Sequence, residues 1–291
     1  MKRLVLGSGL AIVLALAAAA HGQDGPPAAA SASSVESSSA SDQATMADLG
    51  PGEVPSDALN ALLDRTKAQS HKYGAQIATA VKESPRLSAQ LNALVAAGKL
   101  SDIVVQKGNG YVGNMPFRGA LAGTQIVMTE GLLKELKPRP YSAVPGHLTD
   151  STVFVLGHLA YHAQYDAERL AKDDAAGADL FAHPDASGAV DATQFILQSA
   201  NGAMDVEVRA FFQGWNDMVD AATITKGEAV TLDDVGAMLS NSNYGMYLAR
   251  SMLQPGGSLK WDPASGYLFA SDKNVQTMAA TLGAAPMADI Q

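Results

Sequence analysis

The chain contains no cysteine, and this absence narrows the chemistry open to it. Disulfides cannot stabilise its fold, no thiolate can act as a nucleophile, and any metal site must be built from histidines and carboxylates. Because 47% of the 291 residues are hydrophobic, the chain can bury a core large enough to fold without disulfides.

Basic residues are also scarce. The sequence has 20 Lys and Arg residues against 29 Asp and Glu residues, and its formal net charge is -9. Binding to nucleic acid requires a concentrated positive surface, so we expect no nucleic-acid partner. The sequence also lacks a G-x-S-x-G nucleophile motif and a phosphate-binding loop, which argues against a serine hydrolase and a P-loop enzyme.

The N-terminus has the pattern of a secretory signal peptide. Lys2 and Arg3 precede the apolar run Leu4–Ala20, and small residues near Gly22 offer a cleavage site. The alternative is a transmembrane anchor, but the run is shorter than the roughly 20 residues that a spanning helix needs. We therefore predict a signal peptide over residues 1–22, export to the periplasm or the medium, and no stable membrane anchor after cleavage.

The next segment is rich in Ala, Ser, Pro and Gly and poor in bulky apolar residues. This composition cannot offset the entropy of chain ordering, so residues 23–55 are predicted to be a disordered linker. Helical spacing of leucines begins after Ser56, and we predict a single folded domain over residues 56–291.

The pattern inside this domain predicts a mainly helical α+β fold. Helices are expected after the caps Ser56 and Ser84, and Ile103–Gln106 and Tyr111–Val112 read as a hairpin. A strand centred on residues 125–128 leads into a short helix capped by Thr129. The sequence thus predicts a small antiparallel sheet preceding a buried helix.

The buried helix reads VFVLGHLAYHAQYDAER over residues 153–169, and its first part is apolar on every side. His158 and His162 are four residues apart, so both imidazoles lie on one face of the helix. This is the spacing of the HExxH zinc helix, but Leu159 stands where that motif has its Glu. We expect this helix to end near Lys172, before a loop that reaches Gly188 and a second long helix over residues 195–222.

A metal site on this helix needs a third protein ligand. Glu207 lies in the second long helix and would complete a His2Glu set with one coordination position open, while Asp205 is a weaker alternative. On spacing alone, Glu207 is better explained as the ion-pair partner of Arg209 or as a solvent-facing helix residue. Spacing alone leaves these alternatives open.

Three segments together resemble a known family. The sequence GTQIVMTEGLLKEL, then VLGHLAYH, then a later ExxA at residues 207–210 is similar to gluzincin metallopeptidases of the CaaX-prenyl-protease and heat-shock-protease type. The match covers about residues 120–216. The resemblance implies a zincin-like domain, a zinc ion held by His158, His162 and Glu207, and a peptide or protein partner. It also implies that the strand of Gln125, Ile126, Val127 and Met128 holds the substrate backbone by β-addition.

Two positions depart from the family pattern. Leu159 replaces the general base, and Phe211 stands where the family carries an Asp four residues after the ligand Glu. A leucine cannot accept a proton from metal-bound water. Asp166 and Glu168 are the nearest carboxylates that could substitute on the same helix, although the motif places neither of them at the base position.

The sequence therefore predicts an exported metallopeptidase-like protein that binds zinc and peptide but is catalytically impaired. Two alternatives stay open: an active metallohydrolase with an unconventional base, and a metal-free helical protein of the envelope. Whether the chain is an enzyme, and its oligomeric state, are left undecided. If a peptidase site exists, the side chains that could act as oxyanion donors are His147, Tyr161, Tyr244 and Tyr247.

Overall fold

The computed structural model describes residues 53–108, 119–241, 258–260, 262 and 264–284. These residues form a mainly helical α+β fold with a small sheet, as the sequence predicts. The predicted signal peptide, almost all of the predicted linker and the strand Tyr111–Val112 lie outside the described residues. Among the described residues, no helix combines the length and the apolar character needed to cross a membrane.

Three helices open the described chain: α1 (Asp57–Gln69), α2 (His71–Glu83) and α3 (Pro85–Ala96). The hydroxyl of Ser56 accepts a hydrogen bond from the Leu59 amide, and the hydroxyl of Ser84 accepts one from the Leu87 amide, so both predicted caps are confirmed. Helix α2 was not predicted.

The sheet contains β1 (Asp102–Gln106), β2 (Gly119–Ala122) and β3 (Gln125–Thr129) in the order β1-β3-β2. Strand β3 pairs antiparallel with β2 and parallel with β1, so the sheet is mixed rather than purely antiparallel. Each side of β3 is therefore paired with a neighbouring strand.

A short segment connects the sheet to the histidine helix. Thr129 caps α4 (Glu130–Glu135) as predicted, because its hydroxyl accepts a hydrogen bond from the Leu132 amide. The two-residue strands β4 (Arg139–Pro140) and β5 (Leu148–Thr149) then pair antiparallel. They bring the chain to the start of α5.

Helix α5 (Ser151–Ala182) carries the two histidines and is longer than the sequence predicts. The prediction of a loop before Gly188 is wrong over most of its length, because the helix continues to Ala182. Three features support this continuation: the alanines favour a helix, Arg169 pairs with Asp173 one turn on, and Gly177 lies against the ring of Phe195.

Helix α6 (Thr193–Lys226) runs back along α5. Contacts join Asp173 to Ser199 near one end of the pair and Gly157 to Gly214 near the other, so the two helices are antiparallel. Helices α7 (Leu232–Asn241) and α8 (Asp272–Ala284) follow. The main core joins α5 and α6 to the N-terminal helices and the sheet, and its largest fully buried side chains are Trp215, Phe154 and Phe212.

Candidate metal centre

The two histidines lie where α5 passes from the buried core to a more exposed half. The residues from Val153 to Gly157 are all buried, whereas buried positions become rare after Ala160. The side chains of His158 and His162 are 14% and 15% exposed, and their ring centres are 4.9 Å apart. Both imidazoles thus share one face near the edge of the core.

Glu207 reaches these histidines from α6. Its Oε1 lies 3.4 Å from Nε2 of His158, and its Oε2 lies 3.1 Å from Nε2 of His162. The Glu207 side chain is 34% exposed, so solvent reaches the group from this side. Arg209 pairs instead with Asp205 and Asp272, which removes the alternative of a Glu207–Arg209 ion pair.

A close crossing of the two helices allows this contact. A Cβ atom on Gly214 would lie 2.3 Å from the carbonyl oxygen of Phe154, and one on Gly157 would lie 2.2 Å from the Asp217 carboxylate. Neither position has room for a side chain. Because Gly157 directly precedes His158, the crossing holds the histidines next to α6. The sequence signal for this crossing is the pair of helical glycines, Gly157 and Gly214.

Asp166 completes the surroundings of His162. Nδ1 of His162 lies 3.2 and 3.1 Å from the two carboxylate oxygens of Asp166, one helical turn further along α5. Each nitrogen of this imidazole therefore faces a carboxylate: Nδ1 faces Asp166 and Nε2 faces Glu207. Because Asp166 lies at Nδ1, on the opposite side of the ring from Glu207, it is not placed as a replacement base.

The three groups perturb one another's protonation. Burial by itself lowers the pKa of His162, but hydrogen bonds with Asp166 and Glu207 reverse this and raise the pKa to about 9. Burial lowers the pKa of His158 to about 4. Burial would raise the pKa of Glu207, but the two imidazoles outweigh it and lower the pKa to about 2. Without a metal, these shifts favour an imidazolium at His162 and a neutral imidazole at His158.

His158 has no such support. Its Nδ1 is buried and has no hydrogen-bond partner in the part of the chain that the structure describes, and its ring lies 6.2 Å from that of Phe154. Phe154 in turn packs edge-on against Phe211 at 5.1 Å. Phe211, the position at which the family pattern has an Asp, thus belongs to an apolar contact.

Leu159 belongs to the hydrophobic core. Its side chain is 6% exposed, and its Cδ1 lies 3.7 Å from the point that a Cβ on Gly119 in β2 would occupy. Glu168, the other carboxylate considered as a base, is exposed and pairs with Lys172 at 2.8 Å. Of the two substitutes considered on α5, neither is therefore placed to act as a base.

The predicted substrate strand is not available for β-addition. Gln125, Ile126, Val127 and Met128 form β3, whose two edges are both hydrogen-bonded to β1 and β2. Ile126, Val127 and Met128 are also buried. The prediction that a peptide adds to this strand is wrong, because short-range sequence pattern does not reveal which strand becomes central.

The other side chains considered for the site have different contacts. The ring of His147 stacks on Tyr141 at 5.4 Å, and its Nδ1 lies 2.9 Å from the Ser142 hydroxyl. Tyr161 packs against Tyr165 with ring centres 4.4 Å apart. Tyr244 and Tyr247 lie outside the described residues.

The donor set fits a metal ion. Among the described residues, one ligand atom from each of His158, His162 and Glu207 can be chosen so that all three lie within 4.8 Å of one another. Nε2 of His158 lies 3.4 Å from one oxygen of Glu207, and Nε2 of His162 lies 3.1 Å from the other, so the three groups are near enough to share one ion. Two imidazoles and a carboxylate suit zinc and similar divalent metals better than calcium or magnesium.

Fold and site together define a mainly helical α+β protein with a candidate metal centre between two long antiparallel helices. No protein-family model matches the chain, and neither a curated protein nor a solved structure is significantly similar to it. Any assignment of function must therefore start from the site itself.

Proposed function

We propose that this chain is an exported metallopeptidase-like protein that binds zinc through His158, His162 and Glu207 and has little or no peptidase activity. The observation that carries the metal assignment is the convergence of three donor groups from two helices at distances of 3.1 and 3.4 Å. One ion could take a lone pair from Nε2 of each imidazole and an oxygen of the carboxylate, in place of the two contacts that the Nε2 atoms make with Glu207.

The same site argues against efficient hydrolysis. A zinc peptidase needs a base within hydrogen-bonding distance of the metal-bound water, and in the zinc helix that base directly follows the first histidine. Here that position is Leu159, which packs in the core. Zinc would polarise a bound carbonyl or water, but neither Leu159 nor the two carboxylates considered on α5 offers a base. We therefore favour a pseudopeptidase over an active hydrolase.

A metal-free role is the second candidate, and one observation favours it. An imidazolium at His162, held between Asp166 and Glu207, is a complete ion-pair arrangement without any metal. In that case the three residues would connect α5 and α6 only structurally. The resemblance also implies a peptide or protein partner, and β3 cannot be its binding strand.

Metal analysis of the purified protein separates these candidates. We expect about one zinc per chain in the wild type and its loss in His158→Ala and in Glu207→Ala. His183→Ala is the matched control, because His183 is on the exposed end of the same helix pair and 76% of its side chain is accessible. A wild type that takes up no zinc would leave only the metal-free role.

A casein assay on the zinc-loaded protein then tests for hydrolysis. We expect no turnover above that of the Glu207→Ala variant. Turnover that depends on His158 and Glu207 would instead establish an active hydrolase with an unconventional base.

A further inference from the structure

The two histidines differ in what supports them. Nδ1 of His162 has both oxygens of Asp166 within 3.2 Å, whereas Nδ1 of His158 is buried and has no hydrogen-bond partner among the described residues. An imidazole that binds a metal through Nε2 carries its proton on Nδ1, and an acceptor at Nδ1 fixes that tautomer and the ring orientation. Within the described ranges, His162 has such an acceptor and His158 does not.

We propose that Asp166 is the positioning residue of the metal site, directing Nε2 of His162 towards the ion and making His162 its best-supported ligand. This inference rests on the proposed zinc site and adds to it. Phe211 stands where the family pattern has an Asp, and its ring packs against Phe154. In this chain the support comes from α5 itself and serves the second histidine.

Arg169 lies beside Asp166 without a hydrogen bond to it. Nε of Arg169 lies 4.0 Å from Oδ1 of Asp166, within ion-pair distance but beyond a hydrogen bond. Nη1 of Arg169 donates to Asp173 at 2.8 Å, and the hydroxyl of Ser199 on α6 donates to the same carboxylate oxygen. Arg169 is therefore anchored across both helices, and its charge faces Asp166 from one side while His162 faces it from the other.

The arrangement makes Asp166 different from the other carboxylates of α5. Asp173 shares the Arg169 network but does not contact either histidine, and Glu168 pairs with Lys172 on the surface. If Asp166 acts through His162, only its replacement should change the metal site. If it acts only as a helix-stabilising charge, replacement of Asp173 should have a similar effect.

The test compares zinc affinity, by chelator competition, in full-length Asp166→Ala, Asp166→Asn and Asp173→Asn. We expect Asp166→Ala to bind zinc 10-fold to 100-fold more weakly, which is the usual effect of removing an outer carboxylate. Asp166→Asn keeps a carbonyl acceptor and should recover part of this loss. Asp173→Asn should bind like the wild type.

A spectroscopic measurement distinguishes positioning from loss of structure. With cobalt in place of zinc, the absorption spectrum reports ligand geometry, and we expect it to change in Asp166→Ala but not in Asp173→Asn. Thermal unfolding of the metal-free variants shows whether either change damages the fold.

The outcomes are separable. A wild type that binds zinc, with Asp166→Ala binding equally well and giving the same cobalt spectrum, would overturn the role of Asp166 and leave the zinc site intact. An equal loss of affinity in Asp166→Ala and Asp173→Asn would also overturn it. A wild type that binds no zinc would overturn both proposals.

Discussion

At the scale of single residues, Leu159 decides which chemistry the histidine helix can perform. It follows His158 directly, so it occupies the base position of a zinc helix, yet its side chain is buried and packs towards Gly119 of β2. This hydrophobic contact stabilises the packing of the helix against the sheet, and a leucine at this position offers no proton acceptor. A single residue therefore affects both the packing of the core and the chemistry open to the site.

Replacement Leu159→Glu tests whether the base is the only missing component. We expect zinc-dependent casein cleavage to appear in this variant, at some cost in stability because the new carboxylate enters an apolar site. The control is Leu159→Gln, because glutamine has nearly the same shape as glutamate but cannot act as a base. This variant should remain inactive. A folded, zinc-loaded Leu159→Glu protein without activity would show that the site lacks more than a base.

Asp150 gives the fold a pH dependence of its own. It caps α5, since its carboxylate accepts a hydrogen bond from the Thr152 amide at 2.8 Å, and it is 3% exposed. Burial raises the pKa of Asp150 from 3.8 to about 7, and the neighbouring charge of Glu83 adds to the shift although the backbone hydrogen bonds oppose it. The folded state therefore binds more protons than the unfolded state between about pH 4 and pH 7.

The sign of this linkage predicts the behaviour of Asp150→Asn. A raised acid pKa makes the contribution of Asp150 to stability decrease as the pH rises through this window. Asparagine keeps the cap without the charge. In urea denaturation, we expect the free energy of unfolding of the variant to rise relative to that of the wild type between pH 4 and pH 8, by on the order of a few kcal/mol. If the difference in free energy of unfolding between the variant and the wild type did not change with pH, the raised pKa of Asp150 would be contradicted.

At the scale of elements, the crossing of α5 and α6 is what assembles the site. Gly157 and Gly214 meet where a methyl group on either would collide with backbone or with a buried carboxylate. His158 and His162 follow Gly157 on α5 within five residues, and Glu207 precedes Gly214 on α6 by seven residues. The histidines and the glutamate are therefore within reach of each other only while the helices stay this close.

Gly214→Ala should separate the two helices. We expect a loss of about 1–3 kcal/mol in the free energy of unfolding from overpacking, and weaker zinc binding because Glu207 moves away from the histidines. Gly236→Ala is the matched control, since that glycine also lies in a helix and has nothing within 4 Å of its Cβ position. The control should be neutral or slightly stabilising. Equal effects of the two changes would argue against a tight crossing.

At the scale of the whole molecule, an ion at this site would connect the two longest helices of the described chain. Binding to the folded state alone raises the free energy of unfolding by about 2.7 kcal/mol when free zinc is 100 times its dissociation constant. A metal that prefers oxygen ligands should raise the free energy of unfolding much less, because two of the three donors are imidazoles.

Thermal unfolding with added metals measures this effect. We expect zinc to raise the melting temperature of the wild type, calcium to have little effect, and the zinc effect to disappear in Glu207→Ala. Equal shifts with zinc and calcium, or a zinc shift that persists without Glu207, would indicate binding elsewhere.

The sequence determined the local features of this protein. Caps at Ser56, Ser84 and Thr129 are set by side chains next to the helix ends that they close, and the apolar run before His158 requires burial wherever the helix lies. Spacing also placed both histidines on one face. These features depend on neighbours within a few residues, so pattern alone predicts them.

Only the tertiary structure decided which strand is central, where α5 ends and how Glu207 meets the histidines. These features depend on residues that are far apart in the chain. Strand β3 became the central strand through its parallel pairing with β1, which no local pattern encodes. Helix α5 continued through a segment of loop-like composition because it packs along α6. The meeting of Glu207 with histidines 45 and 49 positions earlier required the glycine crossing. Sequence supplied the donor groups, and helix packing brought them within reach of a single ion.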